Sequence, residues 1–359
     1  MLLKRVFISM AILPGLLLAV AVALTARFLH ALLPHAVGTA LGEVIVAVLL
    51  GLAIGNFARL PGVTGPGIRF SFHTVLRTAI VLLGATFSFA QVVAIGGKAL
   101  LMIVALMLLA LAVAHALGRA AGTPGRLATL IGVGTAVCGN SAIVATAPVI
   151  GARDEEVSFA IATNTLFGTL AVFLYPFIGH ALGMSDAAFG TWAGTAVNDT
   201  SQVVAAGFAY SEAAGKVATA VKLTRNALMG GVIVAMGLAY GRAAAGAGAV
   251  GADAGPGAWK KRLKQSLPLF VVGFLLLALL NTLGVVRALS NATGQDIPKA
   301  LQFVVRFLIL VALSGVGLST RFEAMRKTGM RPFYVGLATA AATASASLLI
   351  IRWFGPAAG

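Results

Sequence analysis

The sequence predicts an all-α integral membrane protein, and three observations lead there. Apolar residues make up 59% of the 359-residue chain and charged residues only 10%, against roughly 25% charged in a water-facing domain. The apolar residues fall in runs of about 20, the length that crosses a hydrocarbon layer as a helix. The 26 Lys and Arg, set against 10 Asp and Glu, sit mostly in short connections between those runs. So few charges cannot build a polar surface, so lipid must cover the chain. The net charge of +16 therefore reads as the positive-inside bias of a membrane protein, and no nucleic-acid partner is expected.

Apolar segments run over 6–26, 43–60, 72–95, 99–117, 126–150, 157–183, 187–211, 214–240, 265–283, 300–320 and 332–354. They predict nine to eleven transmembrane segments in a single polytopic domain spanning 1–359. The first run follows Lys4 and Arg5 and is long for the core of a signal peptide, so it reads as a first span. Leu100–Ala114 holds no charged residue and is the plainest span. Residues 241–264 combine a Gly/Ala-rich stretch with Lys260, Lys261, Arg262 and Lys264, and read as a cytoplasmic loop. With the N-terminus in the cytoplasm, inner connections hold 15 Lys and Arg and outer ones 6. That bias orients the chain N-in.

Residue types exclude several kinds of chemistry. One cysteine, Cys138, leaves no internal disulfide, and five scattered histidines show no ligand spacing. No nucleophile–base pair, metal cluster or Gly-Lys-Ser/Thr phosphate loop occurs. The expectation is a protein that is not an enzyme and holds no cofactor. Homo-oligomerisation is left open.

The most informative feature is an internal echo. Gly134-Thr135-Ala136-Val137-Cys138-Gly139-Asn140-Ser141 returns 60 residues later as Gly194-Thr195-Ala196-Val197-Asn198-Asp199-Thr200-Ser201, with five of eight positions identical. Both copies lie midway through an apolar segment, and both are small and polar. Gly, Asn, Thr and Ser at that depth support an unwound turn, tolerated where protein or a water-filled cavity covers it. Paired interruptions of this kind point to a midplane binding site. Tight packing through small residues would explain the Gly and Ala, but not Asn140, Asn198, Asp199 and Gln202 at one depth.

Each arm of these segments is about ten residues, or roughly 15 Å of helix, half the hydrocarbon core. Length alone does not separate a broken crossing from a re-entrant hairpin. A weaker echo, Leu83-Gly84-Ala85-Thr86-Phe87-Ser88 against Ser314-Gly315-Val316-Gly317-Leu318-Ser319, suggests a permuted inverted repeat. Segments 43–183 form one copy; 265–354, joined out of order to 187–240, form the other. All five pairs are then oppositely oriented if both interrupted segments are hairpins.

Ionisable residues at depth are costly and mark function. Asp199 lies in the second interruption. Lys222 and Arg225 are three residues apart and share a helix face. Arg77 and Arg306 lie a few residues inside their spans and can reach the interface. Asp199 neutralises one of Lys222 and Arg225. The other calls for an anion, held by cations and half-helix N–H groups. A closed Asp199–Arg225 pair is the bland alternative.

Gly132–Ile150, Gly194–Gly207 and Val221–Met229 together resemble the YeiH-type bacterial inner-membrane proteins, a family assigned to sulfate export. The resemblance covers nearly the whole chain. It implies a multi-pass inner-membrane carrier distantly grouped with NhaA-type antiporters and bile-acid symporters. The expected function is secondary transport, probing sulfate, sulfite or an organosulfonate as the exported anion. Polar contacts would come from Cys138, Gly139, Asn140, Ser141, Asn198, Thr200, Ser201 and Gln202, and charge from Lys222 and Arg225. Asp199 would carry a coupled proton. The rival expectation is a cation/proton antiporter in which Asp199 alternates between a proton and a sodium ion. A channel or scaffold ranks last, because no repeated filter loop or extramembrane module occurs.

Overall fold

The computed structural model describes residues 2–33, 43–246, 269–320 and 330–356. Every regular element among them is helical: α1 (Leu2–Leu32), α2 (Glu43–Phe57), α3 (65–84, with a π turn at Ser71–Val75), α4 (Phe89–Ala120), α5 (Gly125–Ala136), α6 (Asn140–Ile150), α7 (Asp154–Ala181), α8 (Asp186–Ala196), α9 (Thr200–Tyr210), α10 (Glu212–Ala227), α11 (Met229–Gly246), α12 (Leu269–Thr282), α13 (Val285–Thr293), α14 (Ile297–Ser319) and α15 (Met330–Phe354). Among the described residues, six helices are long and apolar enough to cross a membrane, counting α10–α11 as one span, and the bent pair α12–α13 makes a seventh. The chain is an all-α, multi-pass integral membrane protein.

Each predicted apolar segment returns as helix, with two corrections. The boundary drawn between 72–95 and 99–117 is misplaced. The chain breaks at 85–88, and α4 runs unbroken through Gly96, Gly97 and Lys98. A capping box sets that start: Ser88 N–H donates to Gln91 Oε1 at 2.9 Å, and Gln91 N–H to Ser88 Oγ at 3.2 Å. These bonds satisfy two N–H groups that a helix start leaves unpaired. The second correction is α13, which lies where a plain connection was expected and turns 64° from α12. The predicted loop 241–264 falls mostly outside the described residues, although α11 continues to Gly246.

The described chain falls into two compact units. The first holds α1–α3 and α12–α14. Ala19, Val22, Ala23 and Ala26 of α1 pack with Ala47, Ile68, Leu310 and Leu318. Glycines bring the backbones close: a Cβ on Gly317 would lie 2.9 Å from Leu52 N and 3.1 Å from Gly51 Cα. Small residues at such crossings substitute van der Waals contact for the hydrophobic drive that lipid removes.

This unit carries the inverted repeat in its hydrogen bonds. Asn56, near the end of α2, donates to Thr320 O just past α14 at 2.8 Å. Asn281, near the end of α12, donates to Phe87 O just past α3 at 3.0 Å. The first helix of each copy thus holds the end of the second helix of the other. Gly51 and Gly55 meet Ser314 and Leu318, while Gly84 and Gly273 meet Phe274 and Val81. Hence α2 runs parallel to α14, and α3 to α12. Successive spans α2 and α3 run in opposite directions, so the paired helices α2 and α12 do too.

The second unit holds most of α4, then α5–α8, most of α9 and α10, and α11 and α15. Gly132 of α5 sits against Ala114 of α4, where a Cβ would meet that of Ala114 at 2.9 Å. On α15, Ala344 O accepts from Trp192 Nε1 at 3.1 Å and Ser347 pairs with Thr195 at 2.7 Å. Phe333 packs on Phe167 with ring centroids 5.2 Å apart.

Candidate functional site

Both interrupted segments fold back as hairpins. In the first, α5 and α6 share an apolar seam of Leu127, Leu130, Ile131, Ile143, Ala147 and Ile150. Its two ends meet: a Cβ on Gly151 would lie 3.9 Å from Arg126 Cζ. The reversal needs Gly139, whose φ of 71° and ψ of −130° suit a residue without a side chain. The carbonyl of Gly139 then accepts from Ala142 N and Ile143 N at 3.1 and 3.2 Å and starts α6.

The second hairpin, α8 and α9, packs along α10. Cβ atoms on Gly190 of α8 and Gly207 of α9 would lie 2.6 and 3.4 Å from one atom, Ala214 O. The two arms therefore flank the same point of α10. Asp199 starts α9: its Oδ1 accepts from Ser201 N at 2.9 Å and Ser201 Oγ at 2.6 Å, and its carbonyl from Val203 N at 2.9 Å. A carboxylate at that position satisfies orphan N–H groups and complements the positive end of the helix.

The two hairpin tips touch. A Cβ on Gly139 would lie 3.0 Å from both Cα and Oδ2 of Asp199. Lys222 and Arg225, 0% and 2% exposed, bind the tips to α10. Lys222 Nζ donates to Val137 O at 3.0 Å, to Val197 O at 3.1 Å and to Asn198 O. Arg225 donates from Nε to Ala136 O at 2.6 Å, and from Nη1 to Thr195 O at 2.8 Å and Val197 O at 3.2 Å. These carbonyls end α5 and α8, where the helix leaves acceptors unpaired and the dipole is negative. Among the described residues no carboxylate lies within ion-pair distance of either cation, so the closed Asp199–Arg225 pair does not form.

An amide pair brackets the starts of the second arms. Asn164 Nδ2 donates to Asn140 Oδ1 at 2.9 Å, and Asn140 Nδ2 to Thr165 Oγ1 at 3.1 Å. On the other hairpin Asn226 Nδ2 donates to Thr200 Oγ1 at 3.1 Å. Gln202 Nε2 reaches Thr165 O at 3.2 Å and Thr169 Oγ1 at 3.3 Å. Cys138 Sγ donates to Met229 Sδ at 3.3 Å. Of the residues singled out from sequence, all but Ser141 make these bonds or line the tip contact; the Ser141 side chain is exposed. Arg77 and Arg306 lie in the other compact unit. There Arg77 sits over the Phe270 ring at 5.8 Å, and Arg306 faces Glu43 at 4.0 Å.

Asn164 and Thr165 were missed as site residues, although a signal existed. Asn164-Thr165-Leu166-Phe167-Gly168 returns 62 residues later as Asn226-Ala227-Leu228-Met229-Gly230. The two asparagines hold equivalent positions, each bonded to the first residue of its own hairpin's second arm.

Comparison with known proteins decides the family. The family model described as Conserved hypothetical protein 698 matches residues 14–336. The chain belongs to that family. A UPF0324 membrane protein of Streptococcus pyogenes serotype M6 is 37% identical over 328 residues, covering 90% of this chain and 92% of that one. UPF0324 membrane proteins of Agrobacterium fabrum and Nitratidesulfovibrio vulgaris are each 33% identical, covering 96% and 95% of this chain and 92% and 93% of theirs. No solved structure matches.

Proposed function

We propose that this protein is a secondary carrier for a small anion, with sulfate, sulfite or an organosulfonate as the substrate class and export as the direction. The observation that carries the reading is the charge at the hairpin tips. Four half-helix ends converge there, and their partial charges cancel in pairs. Lys222 and Arg225 bring two positive charges and Asp199 removes one, which leaves a buried surplus of one. A buried surplus of that kind is stable with an anion beside it. We place the chain in a bacterial inner membrane with its N-terminus in the cytoplasm, on the strength of the Lys/Arg bias. Transport needs no enzymatic step or cofactor on this reading.

The test is flux. Purified protein in liposomes should show saturable sulfate or sulfite counterflow, and that flux should fall sharply in Lys222→Ala and in Arg225→Ala. Absence of anion flux in the wild type would remove the proposal.

A specific observation supports the rival cation/proton antiporter. Among the described residues, the amide oxygens of Asn164, Asn198, Gln202 and Asn226 are buried without a donor, and acceptor oxygens suit a hard cation. Sodium-dependent proton movement in the same vesicles, abolished by Asp199→Asn, would promote it over anion transport.

A further inference from the structure

Two arginines share one carboxylate where α1, α2 and α14 pack together. Ala26 of α1 is buried in the cluster that holds Ala47 of α2 and Leu310 of α14. Next to it, Arg27 Nε lies 3.7 Å from Glu43 Oε1, and Arg306 Nε lies 4.0 Å from Glu43 Oε2. Both gaps exceed a hydrogen bond. Among the described residues neither guanidinium makes a hydrogen bond, and no second carboxylate lies within ion-pair distance of either. Glu43 also stands in the first turn of α2, where its charge complements the positive helix end. Asp296, at the start of α14, is held as a cap by Lys299 N at 3.0 Å, and residues 34–42 carry no acidic side chain. One positive charge is left over.

The surplus faces lipid. The side chains of Arg27 and Arg306 are 48% and 69% exposed, against 18% for Glu43. Phe28 and Leu32, towards the end of α1, are exposed as well, and so are Phe303 and Val304, towards the start of α14. On a membrane protein such large apolar side chains meet acyl chains, so both arginines are set in from the helix ends at the edge of the apolar layer. An unpaired charge at that depth is costly. Arginine stems extend from there towards the phosphate layer.

From this we infer that Arg27 and Arg306 form a binding site for the phosphate of an anionic phospholipid, which bridges α1 to α14 and completes the charge that Glu43 only half balances. Guanidinium forks match the paired oxygens of a phosphate. Arg27 Cζ sits 5.4 Å from the centre of the Phe303 ring, which holds one guanidinium by its face and leaves its edge to the ligand. The exposed side of the same ring gives the acyl chains a contact. The site uses nothing at the hairpin tips and is independent of what the protein carries. Because α1 lies outside both copies of the repeat, the lipid fastens an added helix to the paired helices α2 and α14.

The experiment titrates purified full-length protein in a neutral detergent with phosphatidylglycerol, phosphatidylcholine or inorganic phosphate and follows thermal unfolding. Phosphatidylglycerol should raise the melting temperature saturably, and the other two at the same concentration should not. Arg27→Gln combined with Arg306→Gln should raise the half-saturating phosphatidylglycerol concentration by about tenfold or more. Arg287→Gln combined with Arg352→Gln removes two exposed arginines elsewhere and should leave it unchanged. Glu43→Gln removes the competing carboxylate and should lower it severalfold, a change of opposite sign that a poorly folded variant does not imitate. The site is overturned if phosphatidylglycerol does not protect the wild type, if the Arg27/Arg306 variant binds it as the wild type does, if the Arg287/Arg352 variant loses as much, or if Glu43→Gln brings no gain. Equal protection by inorganic phosphate overturns the lipid as its occupant.

Discussion

The hairpin geometry makes a prediction that a continuous crossing cannot imitate. If residues 126–151 spanned the membrane as a broken helix, their ends would be roughly 37 Å apart at 1.5 Å per residue. In the hairpin, the Gly151 Cβ position lies 3.9 Å from the Arg126 guanidinium carbon. Cysteines at Arg126, which is exposed, and at Ala152, half-buried at the edge of the seam, should therefore be joined by a short bifunctional maleimide in intact vesicles. Cys138 is 4% exposed and should not compete for the reagent. The hairpins also set sidedness. Single cysteines at Arg126 and Glu155 should label from one face, and a cysteine at Asp186 from the other. Absence of the cross-link, with Arg126 and Glu155 labelled from opposite faces, would refute the hairpin and the charge convergence built on it.

Other expectations follow from packing. Gly317→Val puts a side chain within 3.1 Å of the α2 backbone. It should cost about 1–3 kcal/mol by overpacking, whereas Gly231→Ala, with nothing within 4 Å, should be neutral or gain up to about 1 kcal/mol from helix propensity; melting in detergent separates the two. Asn56→Ala and Asn281→Ala each remove a bond from one copy's first helix to the other's second, at about 1 kcal/mol apiece. Their double variant should show the sum within about 0.5 kcal/mol, and a large excess would mean the two ends of the repeat are not independent.

The membrane class was legible because composition alone forces it. The hairpin tips were legible because Gly, Asn and Asp at mid-span contradict the apolar pattern around them. The end of α3 was harder. Gly96-Gly97-Lys98 resembles a loop by composition, yet glycines inside a long apolar helix are tolerated in lipid, and the true boundary lay in the Ser88/Gln91 capping pair. Position, too, was less readable than identity. Sequence spacing put Lys222 and Arg225 on one face of α10 but could not show that their donors meet the carbonyl ends of α5 and α8. Those helices end 86 and 26 residues before Lys222, and the contact exists only once both hairpins have folded back.

That contact raises the question of whether the two cations serve the fold or the substrate, and the repeat supplies a control. With Asn164 equivalent to Asn226, Ala160 and Thr163 occupy the places of Lys222 and Arg225. The first copy packs its hairpin with no cation there, Ala160 being 0% and Thr163 1% exposed. The repeat as such therefore does not require the charges. Lys222→Ala combined with Arg225→Thr installs the first copy's residues on the second. The carbonyls of Ala136, Val137, Thr195, Val197 and Asn198 lose these donors, at about 1–3 kcal/mol for each buried acceptor left unpaired. Relief from burying two charges offsets part of that cost. The net effect on melting should be smaller than the gross loss, and the folded fraction should bind sulfate at least tenfold more weakly. If instead binding per folded molecule is unchanged, the cations are helix-end caps alone and the positive surplus at the hairpin tips plays no part in selecting the anion.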